Sequence, residues 1–221
     1  MSIVPYISVL VTARNVEEYI GRCIRSILDQ SLPRQEYEII IVNDSSLDRT
    51  KFALQIFAGD IILINNHKKL GLPKSLNKGI QKARGRYIVR VDGDDYVNHD
   101  FLKILSMYLE LNTDIDAVAC DYLFVDNKEN VLEKVNCLKN PIACGVMFRN
   151  EQLIEIGLYD EKFTLREDED LRIRFLKKYN IERVRLPLYR YRRHENNITN
   201  NKRQMHKYKK LLEVKHNQGV K

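Results

Sequence analysis

The sequence predicts an α/β fold, a mostly parallel sheet covered by helices on both faces. Two observations carry this: short apolar, β-branched runs alternate with amphipathic helical stretches, and the runs have the length and composition of strands buried on both sides. A third is that acidic, turn-forming loops follow those runs directly, where open α/β sheets gather their ligands.

Ile7-Ser8-Val9-Leu10-Val11 is the first such run, followed by Val16, Tyr19, Ile20, Cys23, Ile24, Ile27 and Leu28 at three- and four-residue spacing, with Pro33 beyond. This is strand, then helix. The unit recurs as a strand from Glu38 to Val42 with a helix over about 48–57, and as a strand from Ile61 to Ile64 with a helix over about 73–83. Pro73 stands where a first helical turn tolerates it, and Gly85 lies past the last periodic residue. Tyr87 to Val91 is the fourth strand. After residue 96 the rhythm loosens into a helix over about 100–111, a strand near 117–124, a polar segment 126–133 and an apolar stretch 142–148.

A chain of 221 residues with 44% apolar content suits one domain with a real core. No repeat, low-complexity segment or Pro/Gly/Ser linker divides it. Cys23, Cys120, Cys137 and Cys144 have no CxxC spacing and no signal segment precedes the first strand, which points to a reducing, cytoplasmic setting without structural zinc. No apolar run approaches the ~20 residues that cross a bilayer. The net charge of +7 is uneven: residues 202–221 hold seven Lys and Arg against Glu213, and Arg183, Arg185, Arg190, Arg192 and Arg193 lie just upstream. Met205, Tyr208, Leu211 and Leu212 fall near one helical face of this tail, which therefore reads either as a surface for an anionic membrane or as a solvated terminus.

Three acidic loops are candidates for chemistry. Asn43-Asp44-Ser45-Ser46 follows a buried-type strand, where Asp44 suits a base or ribose hydroxyl, or equally an Asx-turn or helix cap. In Asp92-Gly93-Asp94-Asp95 the first and third side chains point the same way in extended backbone, and Gly93 permits a close approach. Carboxylates so close repel one another unless a cation sits among them, and oxygen ligands suit Mg²⁺ or Mn²⁺. Asp/Gly clusters also make ordinary surface turns. Glu167-Asp168-Glu169-Asp170 stands ahead of Leu171 and Phe175, as acids do in a first helical turn favoured by the helix dipole. His194, in Tyr191-Arg192-Arg193-His194, suits metal or phosphate but also a surface or capping role.

Taken in order, these segments resemble the GT-A-fold, family-2 type inverting glycosyltransferases over nearly all of residues 6–200. Ser8-Val9-Leu10-Val11 with Thr12-Ala13-Arg14-Asn15 is similar to the family's opening strand and turn. Tyr37 to Thr50 is similar to its strand and nucleotide loop, and Gly71 to Ile80 with Tyr87-Ile88 to the segments that lead into its DxD. Gly145 to Arg149 and Ile156 to Asp160 resemble the acceptor-side segment, and Glu167-Asp168-x-Asp170-Leu171 the ED motif.

The resemblance implies a GT-A (Rossmann-like) domain over 1–200, with 1–96 as the nucleotide-sugar half and 97–200 as the acceptor half, followed by a basic helical tail over 201–221. It implies a nucleotide-diphosphate sugar donor, with UDP as the nucleotide, and a glycan or lipid-linked acceptor in cell-surface polysaccharide synthesis. Donor contacts are expected at Thr12, Ala13, Arg14, Asn15, Asp44, Ser45, Asn77, Asp92, Gly93, Asp94 and His194. A divalent cation, Mn²⁺ or Mg²⁺, is expected on Asp94 with Asp92 and His194, and Asp168 as general base. His194, with Arg192 or Arg193, is expected to support the leaving diphosphate. Asn43 and Ser45 stand where the family has Asp and Gly, and Arg14 where an aromatic is common, which leaves the base open. With no Trp, the Q/R-x-x-R-Trp signature of processive synthases is absent, so a non-processive enzyme is expected. A nucleotidyltransferase would carry an early Gly-rich phosphate loop, which residues 8–20 lack; a non-catalytic binding module would not need the intact Asp92, Asp94 and Asp168. Nothing points to a nucleic-acid partner.

Overall fold

The structure, a computed structural model, describes residues 4–195, 197 and 200–217. The end of the predicted tail, 218–221, lies outside the described residues.

Strands β1 (Ile7–Ala13), β2 (Tyr37–Asn43), β3 (Ile62–Asn65) and β4 (Tyr87–Asp92) lie parallel in the order β3-β2-β1-β4. Every residue of β2 is buried, as a strand covered on both faces must be. The crossovers are α1 (Ile20–Leu28), α2 (Thr50–Gln55) and α3 (Leu72–Ile80). Helix α1 turns Ile20, Cys23, Ile24 and Ile27 to the sheet, the three- and four-residue stripe of the sequence. Helix α3 comes very close to β1: a Cβ on Gly79 would stand 2.1 Å from Leu10 Cδ1. The helices at 50–55 and 72–80 are shorter than the expected spans, which ran on into turns.

The register matters more than the lengths. Thr12 of β1 lies opposite both Val42 and Asp92, and Asn43 lies opposite Ala13 and Asn65, so the carboxyl ends of all four strands finish level. The loops that follow β1, β2 and β4 therefore share one edge.

The second half is mixed rather than parallel. It contains β5 (Tyr96–Val97), α4 (Phe101–Leu111), β6 (Ala117–Val125), β7 (Val131–Val135), β8 (Val146–Arg149), α5 (Asn150–Glu155), α6 (Glu167–Leu176), β9 (Ile181–Arg192) and α7 (Lys202–Asn217). The sheet continues β4-β8-β6-β9-β5, with β8 antiparallel to β4 and β6, β9 parallel to β6, and β7 added to β6. Part of the polar segment 126–133 is thus strand, closing a hairpin through a turn in which Glu129 has φ 66°. Strand β9 is the longest, yet only its end at Tyr189 and Tyr191 is legible by alternation. Exposed Glu182 and Arg185 and a register shift opposite Pro187 hide the rest.

One continuous apolar core runs from Ile7 on β1 to Tyr189 on β9. Helix α7 joins the body through Leu212, 5% exposed, with Met205 and Tyr208 half-buried on the same side. Burying a leucine of this kind contributes about 1.5–3 kcal/mol. Of the four residues expected on one face of the tail, Met205, Tyr208 and Leu212 pack on the protein's own body, while Leu211 is 43% exposed. No helix among the described residues is long and apolar enough to cross a membrane.

Candidate functional site

The acidic loop Asp92–Asp95 leaves β4 in a tight turn, the Asp95 amide donating to the Asp92 carbonyl at 3.0 Å. Its glycine has a steric cause different from the expected one. A Cβ on Gly93 would lie 2.9 Å from the Thr12 carbonyl oxygen, so the close approach it permits is that of the neighbouring strand.

The three carboxylates have separate fates. Arg90, two residues earlier on β4 and 6% exposed, grips Asp92 with both arms, Nε to Oδ1 at 2.7 Å and Nη2 to Oδ2 at 3.1 Å. Its remaining nitrogen donates to Glu167 Oε1 at 3.0 Å. Asp95, 2% exposed, accepts from the Tyr189 hydroxyl at 2.7 Å and the Arg192 amide at 2.8 Å. Burial, with the charges of Asp94 and Asp92 added, pushes the Asp95 carboxyl well up. Asp94 and Asp92 are similarly exposed, 24% and 26%, but Asp94 has no guanidinium on it and meets His194 Nε2 through Oδ2 at 2.9 Å. His194 stacks on Tyr19 with ring centroids 5.0 Å apart, and its Nδ1 has no hydrogen-bond partner among the described residues. Beside it opens a cleft of about 580 Å³ lined by Glu18, Tyr19, Asn127, Lys128, Arg193 and His194.

Arg192 does not face that cleft. Its guanidinium donates to the carbonyls of Asp94, Asp126 and Asn127 at 3.0, 3.2 and 3.3 Å and pairs with Glu129. At 3% exposure it is a staple that ties the acidic loop to the β6–β7 turn, which removes it from the expected support of a leaving group. Arg193 lies over the Phe124 ring at 3.5 Å and is half exposed.

The residues expected around the nucleotide divide in the same way. Thr12 is half-buried and Ser45 half-buried with φ 56°, while Asn15, φ 52°, is exposed; all three lie at the carboxyl ends of β1 and β2. Arg14 Nη1 donates to the carbonyls of Asp44 and Ser45 at 2.5 and 2.9 Å and braces that rim. Asn15 Oδ1 accepts the Leu47 amide at 2.9 Å, locking the β1 and β2 loops together.

Three expected donor contacts are corrected. Ala13 is fully buried, so its side chain reaches no ligand. Asp44, 4% exposed, turns inward and accepts from the amides of Leu70 and Gly71 at 2.7 and 2.9 Å and from Asn66 Nδ2 at 2.9 Å. Burial would raise its carboxyl, but these donors and Arg14 hold it below the usual range. Asn77 closes a two-way bridge with the Tyr159 backbone, Nδ2 to O at 2.9 Å and N to Oδ1 at 3.0 Å, and so ties α3 to the acceptor half.

Asp168 is the second residue of α6, next to the buried Glu167. Among the described residues the hydrogen bonds to its carboxylate come from the amides of its own turn, those of Asp168 and Glu169. Burial pushes its carboxyl up while Arg90 pulls it back. Burial likewise takes Glu167 up to about 7 against the same guanidinium. Arg90 is the residue that the motif reading missed. It lies inside a strand among Val89 and Val91, and only a charge in a run of buried apolar residues signals that something opposite must neutralise it.

As for metal ligands, Asp92, Asp95 and Cys144 each bring one atom within 4.8 Å of the others. Arg90, Tyr189 and Arg192 already satisfy those carboxylates, and a guanidinium 2.7 Å from Asp92 opposes a second cation there. Asp94 and His194 are the better pair: a hard oxygen and an imidazole nitrogen facing a cleft suit Mn²⁺ or Mg²⁺, and the ring nitrogen left over lacks a partner.

The family model of glycosyl transferase family 2 matches residues 8–175, which takes in the rim loops, the acidic loop and Asp168. The chain belongs to that family. An uncharacterized glycosyltransferase of Haemophilus influenzae is 35% identical to this family member over 159 residues, 66% of the chain and 49% of the relative. The chain spans about a third to a half of the length of such curated relatives. Among solved structures, residues 1–349 of TarS from Staphylococcus aureus, in complex with UDP-GlcNAc, superpose with a TM-score of 0.78 at 21% identity. That match covers 95% of this chain and 66% of the TarS chain. The mannosyltransferase PcManGT of Pyrobaculum calidifontis, in complex with GDP-Man and Mn²⁺, gives 0.71 at 18% identity over 87% of this chain and 58% of its own. These two likenesses show the GT-A fold.

Proposed function

We propose that this chain moves a sugar from a nucleoside-diphosphate donor to a hydroxyl of a glycan or lipid-linked acceptor, with inversion at the anomeric carbon. The observation that carries the reading is Arg90, one guanidinium that holds the acidic loop through Asp92 and the start of α6 through Glu167. Donor side and base are thereby one arginine apart.

Thr12, Arg14, Asn15, Ser45 and the Gly93 backbone form the donor rim, and Asp92 is held for the donor by Arg90. Asp168 takes the proton of the acceptor hydroxyl as that oxygen attacks the anomeric carbon; the bond to the diphosphate oxygen breaks on the opposite face. Its raised carboxyl suits a base that must hold the proton once taken. Asp94 and His194 would hold a divalent cation, which would supply Lewis-acid support to the departing diphosphate. The PcManGT complex with Mn²⁺ supports the cation, and the TarS complex supports a UDP-sugar. TarS is a poly(ribitol-phosphate) β-N-acetylglucosaminyltransferase, and GgaB of Bacillus subtilis, 28% identical over 206 residues, is a minor teichoic acid biosynthesis protein, which favours a cell-surface polymer as acceptor. The outward side of α7, with Arg203, Lys207 and Lys210, offers such a surface an electrostatic contact only.

The test is Asp168→Asn in the purified chain with Mn²⁺ and a set of nucleotide-sugars. Transfer is expected to fall by about 10²–10⁴-fold, the usual contribution of a general base, with donor affinity retained. Transfer at the wild-type rate removes the base assignment.

A further inference from the structure

Helix α6 starts under unusual constraints. Its cap, Arg166, is a non-glycine residue in the left-handed region, φ 59° and ψ 26°, a conformation that costs about 1 kcal/mol and persists where surroundings impose it. Its side chain reaches α7: Arg166 Nε donates to the Met205 carbonyl at 3.0 Å. Four residues on, Asp170 is 0% exposed and accepts from Lys215 Nζ at 2.5 Å and His216 Nε2 at 2.9 Å, as well as from Arg174 at 2.9 Å in its own helix. Just ahead of the cap, the Thr164 and Tyr208 hydroxyls meet at 2.5 Å. Asp168 sits between these ties, its own carboxylate untouched by α7.

We propose that α7 is a positioning brace for the general base. It grips α6 two residues before and two residues after Asp168, while Arg90 holds the adjacent Glu167 from the sheet side. The carboxylate that must meet the acceptor is aimed by groups that never touch substrate. This rests on the reading of Asp168 as base. It also predicts a division of labour: the donor rim is built on the β1 and β2 loops, whose hydrogen bonds through Arg14, Asn15, Asn43 and Asp44 run between those loops and to residues 65–71, so loss of the brace changes turnover and leaves donor binding alone.

The experiment compares the full chain with a Lys215→Met/His216→Phe variant and with Lys215→Arg as the conservative control. Donor KM, kcat and amide hydrogen exchange over residues 166–171 are measured for each. The double variant is expected to exchange at least about tenfold faster there and to lose about 10²-fold in kcat, the scale of an ångström-sized misplacement, with donor KM within about twofold. Lys215→Arg is expected to stay near wild type on all three. Unchanged exchange, or faster exchange with unchanged kcat, overturns the brace, and so does a parallel change of KM and kcat. If the double variant fails to fold, Tyr208→Phe, which removes only the hydroxyl at Thr164, is expected to show the same split at smaller size. Asp168→Asn in the wild-type background keeps the two readings apart: full activity there sinks the base, while the exchange result still reports on the brace.

Discussion

The loops after β2 and β4 flank the end of β1 and carry the same kind of side chain to opposite ends. Asp44, buried, gives both oxygens to the chain that folds back over it, through Leu70, Gly71 and Asn66. Asp94, a quarter exposed, keeps a carboxylate whose side-chain partner is one imidazole. A strand-end aspartate is therefore not a ligand by position; what decides is whether nearby amides reach it first. Where a loop such as 66–71 supplies donors, the carboxylate becomes part of the scaffold. Where the turn is closed by Arg90, Arg192 and Tyr189 on its neighbours, the middle one is left with a partly exposed carboxylate.

That contrast breaks most decisively at Asp94. Asp94→Ala is expected to reduce Mn²⁺-dependent release of nucleoside diphosphate by about 10³-fold or more, several kcal/mol of charge stabilisation being lost. Its melting temperature should fall by only about 2–4 °C, because the side chain is partly solvated and its side-chain tie is the one to His194. Asp44→Ala should do the reverse. It takes the acceptor from the Leu70 and Gly71 amides and one of two acceptors from Asn66 Nδ2, so a loss of about 3 kcal/mol and a fall of about 6–12 °C are expected in thermal melts. Residual activity per folded molecule is expected to remain measurable; an Asp44→Ala chain that melts normally but no longer binds nucleotide would return Asp44 to the ribose.

Asn77→Ala sharpens the same distinction at smaller size. It removes the bridge to Tyr159 and should cost about 1–2 kcal/mol of stability, seen in urea unfolding, with donor KM unchanged. Acid gives the mildest and most distributed effect. The carboxyls of Asp44, Asp121 and Asp170 are held below their unfolded values, by loop amides, by Arg183 and by the ties to α7 in turn, each against burial. Their contribution is present above the unfolded pKa of about 4 and is lost as pH falls through the lower folded values. Glu167 and Asp95, raised instead, work the other way and add stability as pH falls toward their unfolded values, so in melts between pH 6 and 3 the readout is the drop below about pH 4, which should be shallower in Asp44→Ala.

Much of the first half was legible. The spacing of Ile20, Cys23, Ile24 and Ile27, the apolar run of β2 and the Pro73 and Gly85 signals all report local backbone preference and one buried face, which a chain carries in its own order. The second half hid more. Strand β9 alternates only at Tyr189 and Tyr191, and β8 enters the centre of the sheet between β4 and β6, a placement that no local pattern encodes. Arg192 looked like one more residue of a basic cluster, and α7 like a tail, because both owe their roles to partners more than thirty residues away.

By itself the sequence determined the alternating α/β order and the presence of acidic loops after β2 and β4 and of an acidic helix start. Periodicity and turn chemistry are properties of neighbouring residues, so they survive in one dimension. The tertiary structure decided what each polar side chain meets: Asp44 and Asn77 tie loops together, Arg90 holds Asp92, Tyr189 and Arg192 hold Asp95, and Asp94 meets His194. Hydrogen-bond saturation of a buried polar group depends on donors brought in from elsewhere in the chain, and those meet only after folding.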